Sequence, residues 1–287
     1  NADYIAAIDA GAGNDFVVIN GAGTVDLGTG ADQLTANGYV GQIHATGTAG
    51  NTLALNAGAG TVDLSEGNDV VTANAWLIGL TAGGGDDDIS LSAGGDTIDL
   101  GDGADILNAD GYIISLDAGD GDDTVTLNAS GGIIDLGEGN DTFQSTSGWI
   151  SGVDGGLGDD NITIAGGTAS GGADNDHLAT DGDSVSFLFG DEDDDILTFT
   201  PTAQNEYNQF NGGSEAVRDT LVILVEEFSA ADIQTLQNDL SGYSEAETAY
   251  LSQFNIRIED VERVVVKTPS DEVAPEFFIT IDLDAIF

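Results

Sequence analysis

The chain has no cysteine and no methionine, and its first two hundred residues contain neither proline nor a basic side chain. All three prolines (Pro201, Pro269, Pro275) and all four basic residues (Arg218, Arg257, Arg263, Lys267) lie after position 200. Without cysteine, no disulfide holds the fold together. The lack of proline over so long a stretch suits strands in which every amide serves a ladder. A formal net charge of −48 makes nucleic acid a poor partner. No apolar run approaches the ~20 residues of a membrane span. No signal peptide opens the chain, which starts at Asn1.

What is abundant is glycine and aspartate, in phase. Gly-x-Gly-x-Asp-x-hydrophobic recurs at Gly11-Ala12-Gly13-Asn14-Asp15, Gly28-Thr29-Gly30-Ala31-Asp32, Gly101-Asp102-Gly103-Ala104-Asp105, Gly119-Asp120-Gly121-Asp122-Asp123 and Gly137-Glu138-Gly139-Asn140-Asp141. The residue before the x-hydrophobic pair falls at Asp15, Asp32, Asn51, Asp69, Asp87, Asp105, Asp123, Asp141, Asp160, Asp176 and Asp194. Steps of 16 to 19 residues, most of them 18, predict an all-β parallel solenoid of about eleven coils over residues 1–200. Before position 201 there are 32 Asp and only three Glu, so the acidity follows the repeat and is not a scattered solubilising charge. Carboxylates stacked at a coil spacing of ~4.8 Å would repel one another, and bound cations are the better explanation of the pattern.

One coil, Gly119 to Leu136, reads as turn, strand, turn, strand. Val125 and Leu127 face inward on one strand, Ile134 and Leu136 on the other. The core is therefore thin. A two-coil super-repeat adds Tyr39, Trp76, Tyr112 and Trp149, spaced 37, 36 and 37 residues. The parity of Tyr112, Ile114 and Leu116 predicts that these aromatics cap one end of the flat core; a sugar- or surface-binding file is the alternative. Asn1-Ala2-Asp3-Tyr4-Ile5 matches Asn108 to Ile113 with one residue deleted, so the first residues read as half of a coil with open strand edges. The expectation is a longer array upstream, with head-to-tail association through that end.

These residues resemble the nonapeptide repeat of the repeats-in-toxin (RTX) family, Gly-Gly-x-Gly-x-Asp-x-hydrophobic-x, which forms a calcium-loaded parallel β-roll. Gly155-Gly156-Leu157-Gly158-Asp159-Asp160-Asn161-Ile162 fits at every position, and Gly171 to Leu178 lacks only the second turn glycine. The resemblance implies Ca2+ between successive turns, held by the repeat aspartates and by turn carbonyls of Gly11, Gly13, Gly28, Gly30, Gly101, Gly103, Gly119, Gly121, Gly137, Gly139, Gly156 and Gly158. Only one half of each coil carries the full motif, so one principal column of ions is expected. A second aspartate recurs before the motif (Asp9, Asp26, Asp63, Asp99, Asp117, Asp135, Asp154), as a further ligand or as solvated rim charge.

After Pro201 a small α+β cap over residues 201–287 is expected. A helix is predicted from Ser229 to Leu240, a second behind the Ser244-Glu245-Ala246-Glu247 capping box, and a strand over Ile256–Val266. The final Asp284-Ala285-Ile286-Phe287 resembles the tail of type I secretion substrates. His44 and His177 stand at different phases with no partner for a metal, and no nucleophile, base and orienting group share a plausible spacing. The chain reads as a non-enzymatic, secreted, calcium-binding structural protein of a surface layer, matrix filament or adhesin. The runner-up is the calcium-folded secretion module of a larger toxin or hydrolase. Ice or polysaccharide binding ranks third, because no Thr-rich outward file keeps phase.

Overall fold

The computed structural model describes residues 5–180, 184–201, 206–213, 218–225, 230–240, 248–267 and 279–282. The chain divides into two compact units, residues 1–148 and 149–287, each built of short parallel strands wound into coils. In the first unit one sheet takes eight strands from Ile5–Asp9 to Gly131–Asp135, and the other takes eight from Phe16–Ile19 to Thr142–Ser145. Every strand pairs with its equivalents one coil earlier and one coil later. Thr124, Val125, Thr126 and Leu127 pair with Thr142, Phe143, Gln144 and Ser145 on one side and with Ile106, Leu107, Asn108 and Ala109 on the other. A repeat of 18 residues keeps that register without adjustment, so apolar side chains stack on apolar ones. Val125, Leu127, Ile134 and Leu136 are fully buried, as the alternation predicted. This is an all-β parallel solenoid.

The aromatic residues depart from expectation. Tyr39, Trp76, Tyr112 and Trp149 are 50%, 37%, 40% and 45% exposed, so they do not cap the core. Along Tyr112–Asp120 the alternation slips: Ile113 and Leu116 are buried, while Ile114 is exposed and Ser115 partly so. Two successive outward residues break the parity that had grouped Tyr112 with Leu116.

The two turns of a coil are held in different ways. Opposite the glycine-rich turn, side chains form a polar ladder: Asn56 Nδ2 donates to Asn37 Oδ1, Asn74 Nδ2 to Asn56 Oδ1, Asn128 Nδ2 to Asp110 Oδ1 and Thr146 Oγ1 to Asn128 Oδ1, at 2.8–3.0 Å. Apart from the exposed Asp110 carboxylate, these are neutral amides and hydroxyls that pair directly with one another.

In the second unit, strand pairing continues past residue 200. Asn208–Gly213 and Thr220–Leu224 form one more coil, and Ile256–Glu259 and Arg263–Lys267 another, all parallel to their predecessors. The single strand expected over Ile256–Val266 is therefore two strands on different sheets, joined at Asp260–Glu262. The helix at Ala230–Asp239 is present. Tyr250, Leu251 and Phe254 do not lie on a second helix. Thr248–Leu251 is a strand antiparallel to Ile256–Glu259, and it covers that sheet edge with backbone hydrogen bonds that a helix would not offer. Ile279–Asp282 pairs antiparallel on the other edge. Asn1–Tyr4, Ser229, Ser244–Glu247 and the Asp284–Phe287 tail lie outside the described residues.

Candidate metal-binding column

Each glycine-rich turn sets one side chain, acidic in every case but Asn51, against the backbone of the preceding coil. In the first unit the backbone N–H of Asp15 donates to Asp32 Oδ1 at 2.7 Å, and that of Asp32 to Asn51 Oδ1 at 3.1 Å. Asn51 donates to Asp69, Asp69 to Asp87, Asp87 to Asp105, Asp105 to Asp123 and Asp123 to Asp141 in the same way. In the second unit Asp160 donates to Asp176 and Asp176 to Asp195, both at 2.8 Å. Asp195 then donates to Asp219 at 2.9 Å, and Asp219 to Glu262 Oε2 at 2.8 Å. From Asp32 to Asp176 every one of the expected column residues is buried, at 3% exposure or less.

One carboxylate oxygen is thus satisfied in Asp32, Asp69, Asp87, Asp105, Asp123, Asp141, Asp176, Asp195 and Asp219. Oδ2 of Asp15, Asp32, Asp69, Asp87, Asp105, Asp123, Asp176 and Asp195 is buried with no hydrogen-bond partner. An orphaned, ionised oxygen away from water is costly. Burial raises Asp69 and Asp141 to about 6, Asp87, Asp123 and Asp176 to about 7, and Asp195 to about 8. The donated N–H works against burial in each case, and carboxylates in adjacent coils raise Asp87, Asp123, Asp176 and Asp195 further. A cation at Oδ2 reverses the sign of this cost.

The turn backbone adds neutral oxygens. A Cβ at Gly137 would lie 1.9 Å from the Gly119 carbonyl oxygen, and one at Gly139 would lie 2.1 Å from that of Gly121. Both carbonyls are therefore directed at the following turn, and both later positions need glycine, with φ of 104° and 143° besides. All twelve glycines expected at these turns have positive φ, as do Gly172 of the Gly171–Leu178 motif and Gly83 and Gly85, which had not been assigned to the turns. In the second unit Asp174, Asp191 and Asp193 take positive φ where glycine is expected. There the column carboxylate also explains the leading glycine. A Cβ at Gly155, Gly171, Gly190 or Gly212 would stand 2.1–2.4 Å from Oδ2 of Asp160, Asp176, Asp195 or Asp219.

Among the described residues no three His, Cys, Asp or Glu side chains converge on one point. The donor set is one carboxylate per coil with backbone carbonyls, which suits a hard cation tolerant of mixed oxygen ligation and not a thiolate- or imidazole-seeking metal.

Asp194 is not in the column. It is exposed and accepts the Arg218 N–H at 2.8 Å, whereas Asp195 is 1% exposed and takes the column place. Asp194 belongs to an outer ladder with Asn14, Asp86, Asp122 and Asp159, each accepting the N–H of the residue before the column in the next coil. Alternation held the signal: Leu197 and Phe199 face inward, which sets the column two residues before Leu197. Asp219 and Glu262 carry the same x-hydrophobic suffix, in Thr220-Leu221 and Arg263-Val264, but steps of 24 and 43 residues hid them. The second aspartate set is separate from the column. Asp117, Asp135 and Asp154 are exposed on the outer face of the first sheet, and Asp63 pairs with His44 Nδ1 at 3.2 Å.

On the outer face of the second sheet Thr35, Thr72, Ser90 and Thr126 share one register position in the first unit with Val18, Ala54, Asn108 and Gln144, so hydroxyls hold half of that file.

Fold and site together define a parallel β-solenoid with an acidic, oxygen-lined seam inside one row of turns. No protein-family model and no curated protein matches the chain. Among solved structures it is similar to the X-ray crystal structure of a hyperactive, Ca2+-dependent, β-helical antifreeze protein from an Antarctic bacterium, with 21% identity over 93% of each chain and a TM-score of 0.63. At that identity the likeness is one of fold.

Proposed function

We propose that this chain is a calcium-binding β-roll of the RTX type, a secreted, non-enzymatic structural protein that folds on calcium. The observation that carries the reading is the row of buried carboxylate oxygens left without a partner at one phase of successive coils. Ca2+ accepts carboxylate and carbonyl oxygens in flexible geometry, while Mg2+ demands tighter octahedral ligation. The proposed ligands are Asp15, Asp32, Asn51, Asp69, Asp87, Asp105, Asp123, Asp141, Asp160 and Asp176 with the turn carbonyls. Asp195, Asp219 and Glu262 extend the set. The chemistry the ion supplies is charge neutralisation. The chain's own part is to hold one carboxylate per coil and to aim turn carbonyls at it. The Ca2+ dependence of the structural neighbour supports the same reading.

Circular dichroism and calorimetry with Ca2+, Mg2+ and chelator test it. β-structure should form with Ca2+, be lost in chelator and not be restored by Mg2+. Full β-structure in chelator would overturn the proposal. In this role the chain serves a surface layer, matrix filament or adhesin, with export by type I secretion machinery; electron microscopy of the Ca2+-loaded protein tests self-association. The runner-up, a secretion module of a larger toxin or hydrolase, is separated from it by the full-length gene. A second reading, ice binding, is favoured by the hydroxyl file of Thr35, Thr72, Ser90 and Thr126 and by the neighbour's antifreeze activity. Thermal hysteresis of the Ca2+-loaded protein decides it.

A further inference from the structure

In the first unit the exposed aromatics occupy one register position in every second coil. Gly94 pairs with Tyr112, and Gly58 and Gly94 hold the same place in the coils between the rings. Two strand spacings put consecutive rings about 10 Å apart. The rings do not stand free. Trp76 Nε1 donates to Asp96 Oδ1 in the next coil at 2.9 Å, so the indole leans along the sheet with its polar edge satisfied and is still 37% exposed. Tyr39 leans the same way, since a Cβ on Gly60 would meet its hydroxyl oxygen at 3.0 Å. Gly60 and Asp96 occupy one register position, so the two rings adopt the same pose two coils apart. Ile78 and Ile114, exposed at 50% and 47%, lie beside Trp76 and Tyr112 and widen the strip.

A strip of evenly spaced exposed aromatics, two of them held in one pose and with Asp96 at the edge of Trp76, is a stacking surface for a flat, periodic ligand. Rings already held in place lose little conformational freedom on binding. Residues 1–148 hold 21 Asp and two Glu without a single Lys or Arg. That balance repels a polyanion, and it repels a second copy of the same strip. A neutral polymer meets no such repulsion. We propose that Tyr39, Trp76 and Tyr112 form a binding platform for an extended β-1,4-linked hexopyranose chain lying along the coil axis. Such a chain presents the same sugar face once per disaccharide, a repeat close to two strand spacings. C–H faces of the pyranose rings stack on the aromatic π-faces, and Asp96 and the neighbouring threonines accept hydroxyl hydrogen bonds from the edges.

Retention of the Ca2+-loaded protein on microcrystalline cellulose and on chitin tests this, with starch as the α-linked control and cellohexaose as the soluble competitor. The expected result is retention on one or both β-1,4 polymers, not on starch, and release by cellohexaose. Trp76→Ala or Tyr112→Ala should each weaken binding by about tenfold or less, and the double variant should abolish it. Circular dichroism of the same samples separates loss of stacking from loss of fold, and Trp76→Phe, which keeps a ring, should retain most of the binding. No retention on either polymer, equal retention on starch, or unchanged retention in the folded double variant overturns the proposal. So does a loss of self-association in that variant without any glycan binding, which would assign the strip to a second copy of the chain.

Discussion

Replacing Asp123 with Asn should destabilise the protein with calcium and stabilise it without. Asp123 is 1% exposed; its Oδ1 takes the Asp105 N–H at 2.7 Å, and its Oδ2 has no partner. Asn keeps the first contact. Asn51 already shows how the column accommodates it, with Nδ2 donating to the Ala49 carbonyl and to Asp69 Oδ1. In chelator the carboxylate is held at about 7 by burial, then by its acidic neighbours. Relative to an unfolded value near ~3.9, three units amount to about 4 kcal/mol of destabilisation above pH 7, and Asn removes it. The sign is that of a folded pKa raised above the unfolded one. The ion-free fold is least penalised near pH 4 and loses stability as pH rises through about 7. With calcium the charge is a ligand. Losing one site saturated at a hundred times its dissociation constant forfeits about 2.7 kcal/mol. Denaturant unfolding followed by circular dichroism, in calcium and in chelator at pH 7.5 and 4.5, measures both; where the ion-free chain is unfolded, the midpoint of osmolyte-driven refolding replaces it. A change of the same sign in calcium and in chelator at pH 7.5 would refute the reasoning.

Acid should compete with calcium, because Asp87, Asp123, Asp176 and Asp195 take up protons between pH 8 and 6; calorimetry in buffers of different ionisation heat should show proton release on binding and weaker binding at pH 5.5. Asp195→Ala should lower the calcium stoichiometry while Asp194→Ala leaves it unchanged, read by calcium titration of each variant. Asp110→Ala should also spare calcium and cost about 1 kcal/mol or less, the worth of its exposed hydrogen bond from Asn128, by thermal melting in saturating calcium. Gly139→Ala should cost more than about 1 kcal/mol in the same assay, because the added Cβ meets the Gly121 carbonyl in a turn with positive φ.

Periodic features were legible without a structure. The 18-residue step, the inward Val125, Leu127, Ile134 and Leu136, and the column from Asp15 to Asp176 follow from repetition, since a strict period leaves each coil only one register on the next. What depends on backbone direction at a single residue was not legible. Asp194 and Asp195 are chemically identical neighbours, and only the inward turn of Leu197 and Phe199 separates the buried column carboxylate from the outer ladder. Tyr112 and Leu116 share a parity on paper, yet the slip at Ile114–Ser115 sends the ring out and the leucine in. The coils beyond Pro201 were concealed by long insertions, and pairing with the preceding strand recovered them. Sequence determined the repeat and the chemistry it carries. Tertiary structure decided which oxygens are buried without a partner, because burial is a property of the coils above and below a residue and not of the residue itself.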